Sequence, residues 1–207
     1  MRVVLISDTH NRCEGSVVPA GDLLIHAGDL TMGGRLSEMA QAVAWLESLP
    51  HPHKVVIAGN HDFCLQSGDP ATKWLKDAGI HYLQDEEVTV EGLRIWGAPW
   101  QPSFHDWAFN LPRGEALKAK WDLIPTGIDV LVTHCPPFGL GDRTKEGEEV
   151  GCNELLRALD RVQPKLHVFG HIHEARGHYQ RGKSVLVNAS MLDRRYRAVH
   201  DGILMNL

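Results

Sequence analysis

The chain has 207 residues, 43% hydrophobic and 23% charged, with a formal net charge of -5. That length is enough for a full-sized core, and the acidic balance argues against a stable nucleic-acid partner or a membrane surface, both of which want a basic face. No apolar stretch approaches a membrane span, Met1-Arg2 leads into a run too short for a signal peptide, and Cys13, Cys64, Cys135 and Cys152 form no Cys-x-x-Cys pair. A cytoplasmic, reduced protein is the expectation.

In chain order, Val3 to Ser7 is a short apolar run ending in Asp8-Thr9-His10. Runs this short and rich in β-branched residues read as strands covered on both faces. A polar loop from Asn11 to Gly21 follows; its Arg12 is either solvated or a contact to a substrate phosphate. Leu23 to Ala27 is a second strand, ending in Gly28-Asp29. A helix from about Ser37 carries Met39, Val43, Leu46 and Leu49 on one face and stops at Pro50. The strand Val55 to Ala58 ends in Gly59-Asn60-His61-Asp62. Asp69-Pro70 opens a second helix, with proline at its first position, a stripe of Ala71, Trp74, Leu75 and Ala78, and Gly79 at its end.

From Ile80 to Gly97 the pattern becomes alternating, with Val88–Val90 and Leu93–Trp96 split by Glu91-Gly92, which predicts an antiparallel hairpin. An aromatic loop with Trp100, Phe104, His105, Trp107 and Phe109 is either a hydrophobic cluster or a platform for a nucleobase. A helix over Glu115–Ile124, a strand ending at His134, a loop carrying Arg143 and a helix over Asn153–Val162 follow. The strand Leu166–Phe169 ends in Gly170-His171-Ile172-His173. Val185–Val187 and Ile203–Met205 read as closing strands of a second sheet. With no linker, low-complexity segment or repeat, residues 1–207 are expected to form a single domain.

Asp8, His10, Asp29, Asn60, His134, His171 and His173 therefore all follow strands. Each alone is ordinary: Asp-x-His is a common hydrogen-bonded pair, and Asn or Asp beside Gly is turn chemistry. Together, at the carboxyl end of one sheet, where open α/β folds place ligands, they supply ligands for two divalent ions with one bridging carboxylate. Such a site, with a bridging hydroxide, keeps a net charge of about +1 and attracts phosphate. Metal ions roughly 3.5–4 Å apart generate the nucleophile and hold the phosphoryl oxygens. His61 is placed to protonate the leaving group, with Asp62 raising its pKa and fixing its tautomer. The donor set suits Mn, Fe, Zn, Co or Ni, with Mn2+ the first expectation. A cysteine phosphatase is excluded because its loop needs arginine where Gly141 stands. No Walker phosphate loop or nucleophile elbow is present.

As a set, Asp8-Thr9-His10, Gly28-Asp29, Gly59-Asn60-His61-Asp62, Thr133-His134 and Gly170-His171-Ile172-His173 resemble the signature blocks of the calcineurin-like metallophosphoesterases. Trp100-Gln101-Pro102, Phe109 to Gly114, Pro164 to Gly170 and Asn188-Ala189-Ser190 are similar to one branch, the small metallophosphoesterase-domain-containing proteins related to class III cyclic-nucleotide phosphodiesterases. Met191 to Tyr196 follows that branch less closely. The resemblance implies an α/β, four-layer sandwich, two central mixed β-sheets flanked by helices. It implies one ion on Asp8, His10, Asp29 and His173, another on Asp29, Asn60, His134 and His171, and His61 as proton donor. The expected activity is hydrolysis of small nucleotide-type phosphate esters, 3',5'-cyclic nucleotides included. The competing expectations are a nucleotide-binding scaffold with little turnover, or a nuclease.

Overall fold

β1 (Arg2–Ile6) shows why the strand runs read as unbroken apolar stretches. Alternate side chains leave a strand on opposite faces. Val4 and Ile6 pack with Met39, Val43 and Leu46 of α1 (Leu36–Ser48), whereas Val3 and Leu5 pack with Val130, Val132, Leu166 and Val168 from other strands. All four β1 residues are fully buried, each contributing about 2 kcal/mol of apolar burial. The structure, a computed structural model, describes residues 1–207 apart from Cys13 and Asp69. The thiol at Cys13 and the Asp69 half of the Asp69-Pro70 helix start therefore lie outside the described residues.

The remaining elements are β2 (Leu23–His26), β3 (His53–Val56), α2 (Phe63–Gln66), α3 (Ala71–Asp77), β4 (His81–Tyr82), β5 (Glu86–Val90) and β6 (Leu93–Ala98). They continue through β7 (Gln101–Pro102), β8 (Asn110–Leu111), α4 (Glu115–Trp121), β9 (Val130–Thr133), α5 (Asn153–Val162), β10 (Leu166–Phe169), β11 (Gly177–Arg181), β12 (Ser184–Asn188) and β13 (Ile203–Asn206). One sheet has the order β13-β1-β2-β3-β4 and the other β11-β12-β10-β9-β6-β5. Each has parallel central strands; β13 in the first, and β11 and β5 in the second, are antiparallel edges. Three apolar clusters separate four layers. One lies between the sheets, one under α1 to α3, and one where α4 and α5 cover the second sheet through Leu117, Trp121, Leu155 and Leu159.

Three sequence readings change. The site-bearing strands belong to two sheets facing each other rather than to one, since periodicity marks a buried strand without naming its partner. For the same reason Ile203–Met205 does not close the second sheet: β13 pairs antiparallel with β1, Val3 opposite Met205. Pro70 sits just before the first residue of α3 rather than within it. The Glu91-Gly92 hairpin is as expected, with φ of 47° and 84° giving the mirror-image turn that tight hairpins favour. No helix among the described residues is long and apolar enough to cross a membrane.

Candidate functional site

The parallel strands of both sheets deliver their carboxyl ends to one place. There the chain turns sharply, and non-glycine residues take left-handed backbone, among them Asp8 (φ 54°), His10 (45°), Asp29 (58°) and His171 (71°). Such geometry costs on the order of 1–3 kcal/mol per residue and clusters at functional sites. Here it is held by backbone bonds between turns, Asp8 N–H to the Gly28 carbonyl at 2.9 Å and His10 N–H to that of Asp29 at 3.0 Å. Glycines clear space for the carboxylates. A Cβ at Gly59 would fall on Asp29 Oδ1, and one at Gly170 on Asp8 Oδ2 and Ser7 Oγ.

Three of the imidazoles expected as ligands share one arrangement, which His61 has as well. His10 Nδ1 bonds the Thr31 carbonyl at 3.0 Å, His134 Nδ1 that of Ala27 at 2.9 Å, and His173 Nδ1 that of Asp193 at 3.0 Å. A carbonyl only accepts, so each Nδ1 carries hydrogen and each neutral ring presents an Nε2 lone pair. These Nε2 atoms face carboxylates: His10 to Asp29 Oδ2 at 3.5 Å, His134 to the same oxygen at 3.4 Å, His173 to Asp8 Oδ1 at 3.3 Å. Ligand atoms of Asp8, His10 and His173, of Asp8, Asp29 and His134, and of His10, Asp29 and His61 lie within 4.8 Å of one another in each set.

Lone pairs facing anionic oxygens repel unless positive charge lies between them. His10 Nε2 is buried with no hydrogen-bond partner among the described residues. His134 Nε2 also meets Asn60 Oδ1 at 2.9 Å. Burial alone would lower the pKa of His134 and His173, but Asp29 and Asp8 respectively raise both to about 9. Against the opposite pull of burial, the neighbouring imidazoles hold both aspartates well below the usual carboxylate range. His10 and His171, in contrast, are lowered to about 4 and about 3, mainly by burial. Two carboxylates, preset Nε2 donors and an orphaned ligand atom fit divalent cations.

All seven residues expected as ligands reach this mouth. His171 does so through its backbone N–H, 3.1 Å from both oxygens of Asp8, and through its ring, 5.1 Å from that of His134. His61 donates its backbone N–H to Asp29 Oδ1 at 2.8 Å and lies edge-on to His10 at 4.5 Å. Its Nδ1 bonds the Met32 carbonyl at 2.6 Å. Met32, not Asp62, thus fixes the His61 tautomer. Asp62 turns back into the loop, where its carboxylate accepts Gly59 N–H at 2.8 Å, Thr31 N–H at 2.9 Å, Thr31 Oγ1 at 2.7 Å and Leu30 N–H at 3.2 Å. Burial, then Asp29, raises Asp62 to about 6.

The aromatic loop divides. Phe109 is fully buried, and Trp100 is held by Asp85 at 2.7 Å under the Lys120 ammonium. Trp107 stacks on His61 at 4.2 Å and Phe104 meets His171 at 5.2 Å, so these two line the mouth. Arg12 is exposed near Tyr196, whereas Arg143 is exposed in a loop closed by its own bridge to Glu149. Sequence reasoning left out Ser190, whose hydroxyl donates to Asp8 Oδ2 at 2.7 Å, although Asn188-Ala189-Ser190 stood out as a motif. Tyr196 was missed as well; its ring lies 5.0 Å from that of His10 and 5.6 Å from that of His173.

A family model described as calcineurin-like phosphoesterase matches residues 1–175. The chain belongs to that family, and the His/Asp cluster supports a metal-dependent phosphoesterase. It is similar to "Metallophosphoesterase domain-containing protein 1" of Homo sapiens, 46% identical over 230 residues, covering 100% of this chain and 71% of that protein. A UPF0046 protein of Caenorhabditis elegans is 39% identical over 228 residues, with 100% and 81% covered. The crystal structure of TT1561 from Thermus thermophilus shares the fold, with a TM-score of 0.63 at 17% identity over 99% of this chain and 98% of that one.

Proposed function

We propose that the chain is a dinuclear metal-dependent phosphodiesterase or phosphomonoesterase acting on small nucleotide-type phosphate esters, 3',5'-cyclic nucleotides included. The observation that carries this reading is the shared Nδ1–carbonyl arrangement of His10, His134 and His173, which aims three lone pairs at Asp8 and Asp29. Asp8, His10, Asp29 and His173 would hold one ion; Asp29, Asn60, His134 and His171 would hold the other. Bound there, divalent ions supply Lewis-acid charge and an activated water, and Mn2+ is the first candidate.

The chain's own groups do the rest. His61, its Nδ1 hydrogen committed to Met32, keeps Nε2 to carry a proton to the departing ester oxygen. Asp62 acts as a positioning residue, holding the Gly59-to-His61 turn in place. Trp107 and Phe104 flank the mouth and offer faces on which a base stacks. Residues 1–207 are read as one domain, a reading supported by β13 pairing with β1. A cytoplasmic location agrees with Cys64, Cys135 and Cys152 being buried free thiols.

With added Mn2+, the protein is expected to cleave bis(p-nitrophenyl) phosphate, and Asp29→Ala or Asn60→Ala to lower kcat/KM by about 10³-fold or more. Normal turnover by either variant sinks the assignment. Tight nucleotide binding without turnover under every metal would instead identify a scaffold.

A further inference from the structure

Beside His173 the wall of the mouth is a turn rich in arginine, Asp193-Arg194-Arg195-Tyr196-Arg197. It is closed on itself: Asp193 N–H donates to the Arg197 carbonyl at 2.9 Å and Tyr196 N–H to the Asp193 carbonyl at 2.8 Å. Asp193 Oδ1 accepts the N–H groups of Arg195 at 2.8 Å and Arg197 at 3.0 Å, while Oδ2 takes Arg197 Nε at 2.7 Å. Tyr196 is left-handed (φ 56°), which turns its ring over the imidazoles. The Asp193 carbonyl also receives His173 Nδ1. A rigid turn thus orients a site imidazole, roofs the mouth and fixes where its arginines stand.

Those arginines line an open cleft of about 570 Å³ that shares His173 with the mouth. Arg176, Arg194, Arg195 and Arg197 face it with only Glu174 and Asp193 as acids, a formal +2 within a chain of -5. The charges are not equally available. Arg197 is committed to Asp193. Arg176 is fixed by the carbonyls of Ser190 at 2.6 Å and Asp201 at 2.7 Å, bonds that hold it without cancelling its charge. Arg194 and Arg195 are exposed and have no side-chain hydrogen bond or ion pair among the described residues. Guanidinium groups with free forks recognise phosphate bidentately.

We propose that this cleft is a subsite for a second phosphate on the substrate, which makes the substrate class a nucleotide carrying two phosphates on one sugar. The idea rests on the phosphoesterase reading above. One phosphate sits at the His/Asp cluster and the other reaches past His173 to Arg194 and Arg195. Hydrolysis breaks one P–O ester bond at the cluster, adds the elements of water across it, and leaves the phosphate in the cleft intact.

The test is calorimetric titration of the full chain, as purified, with thymidine 3',5'-bisphosphate and thymidine 5'-monophosphate. The bisphosphate should bind the wild type about tenfold more tightly, as expected of charge-assisted bonds near 1.4 kcal/mol. In R194A/R195A that advantage should fall below about twofold, and R194K/R195K should recover part of it. Equal binding by the wild type, or an advantage surviving in R194A/R195A, overturns the subsite. A parallel assay with Mn2+ compares the 5'-(p-nitrophenyl phosphate) of thymidine with and without a 3'-phosphate; kcat/KM should favour the bisphosphate form by a similar factor. If the binding difference holds and neither ester is hydrolysed, the hydrolytic reading fails while the anion subsite stands.

Discussion

In the core, His26 on β2 bonds Thr9 Oγ1 through Nε2 at 2.9 Å, and His167 on β10 bonds Thr133 Oγ1 at 2.8 Å, one buried histidine in each sheet. Gly28 N–H donates to His26 Nδ1, and Thr133 spends its hydroxyl hydrogen on the Cys135 carbonyl. Both core rings therefore carry hydrogen on Nε2. At the mouth, His10, His134 and His173 have Nδ1 bound to a carbonyl instead, which leaves Nε2 to face a carboxylate. Burial lowers both core histidines to about 3, whereas the aspartates raise His134 and His173 to about 9. The same residue type is packing within the strands and a proposed cation seat beyond their carboxyl ends. Backbone carbonyls decide which.

Exchanging residues across that divide should show the largest effects. His10→Gln or His134→Gln is expected to lower phosphodiester turnover by about 10³-fold or more, because each removes a lone pair facing Asp29. His167→Gln should keep activity within about tenfold. Loss of activity in His167→Gln alone, in folded protein, would erase the distinction. Next, the adjacent pair His61 and Asp62 should separate. His61→Ala should lower kcat by about 10²- to 10⁴-fold with little change in thermal stability. Asp62→Ala, which leaves the buried N–H groups of Gly59, Leu30 and Thr31 without an acceptor, should lose on the order of 3 kcal/mol in urea unfolding.

His134 and His173 titrate with the opposite sign to the core pair, whereas His10 and His171 are lowered as the core histidines are. A histidine near pKa 3 in the fold and about 6.5 when unfolded stays neutral in the fold, so its contribution is complete above about pH 6.5 and declines as pH falls toward 3. Each core histidine should therefore cost about 2 kcal/mol between pH 6.5 and 5, and His167→Gln should flatten that slope by about one proton. For His134 and His173 the sign reverses: in chelator-treated protein their contribution is complete below about pH 6.5 and is lost as pH rises through 9. Urea midpoints across pH 5 to 9 measure both limbs.

What the letters revealed is what side chains carry. Asp8, Asp29, Asn60, His134 and His171 were legible because each follows a strand, and α5 was legible because its apolar stripe ends just before Pro164. Contributions from the backbone had no letter to betray them: Met32 fixes His61 with a carbonyl, and Asp193 does the same for His173. Asp62 looked catalytic by adjacency, yet its turn sends the carboxylate toward amides. Edge strands hid as well. β11 is largely polar because one side of it meets solvent, and β13 alternates without showing that its partner is β1.

Ser190 gives the smallest predicted effect and the finest view of how a carboxylate at the mouth is aimed. Its single hydroxyl hydrogen has two acceptors in reach, Asp8 Oδ2 at 2.7 Å and Asn188 Oδ1 at 2.8 Å. Asn188 Nδ2 donates to the carbonyl of Ile172 at 2.8 Å and that of Gly141 at 3.2 Å, which turns Oδ1 toward Ser190. The Ser190 backbone N–H already serves Oδ1 at 3.2 Å, so the hydroxyl is released to Asp8. Removing it leaves Asp8 the His171 N–H as its remaining hydrogen-bond donor on the strand-end side. Ser190→Ala should accordingly weaken Mn2+ binding by about tenfold, the scale of an outer partner to a ligand, with kcat at saturating Mn2+ nearly unchanged. Asn188→Asp should do more, because its oxygens would face the carbonyls of Gly141 and Ile172 and the hydroxyl would be drawn from Asp8. An Mn2+ titration in which Ser190→Ala matches the wild type would mean that the Gly170 turn alone sets the direction of Asp8.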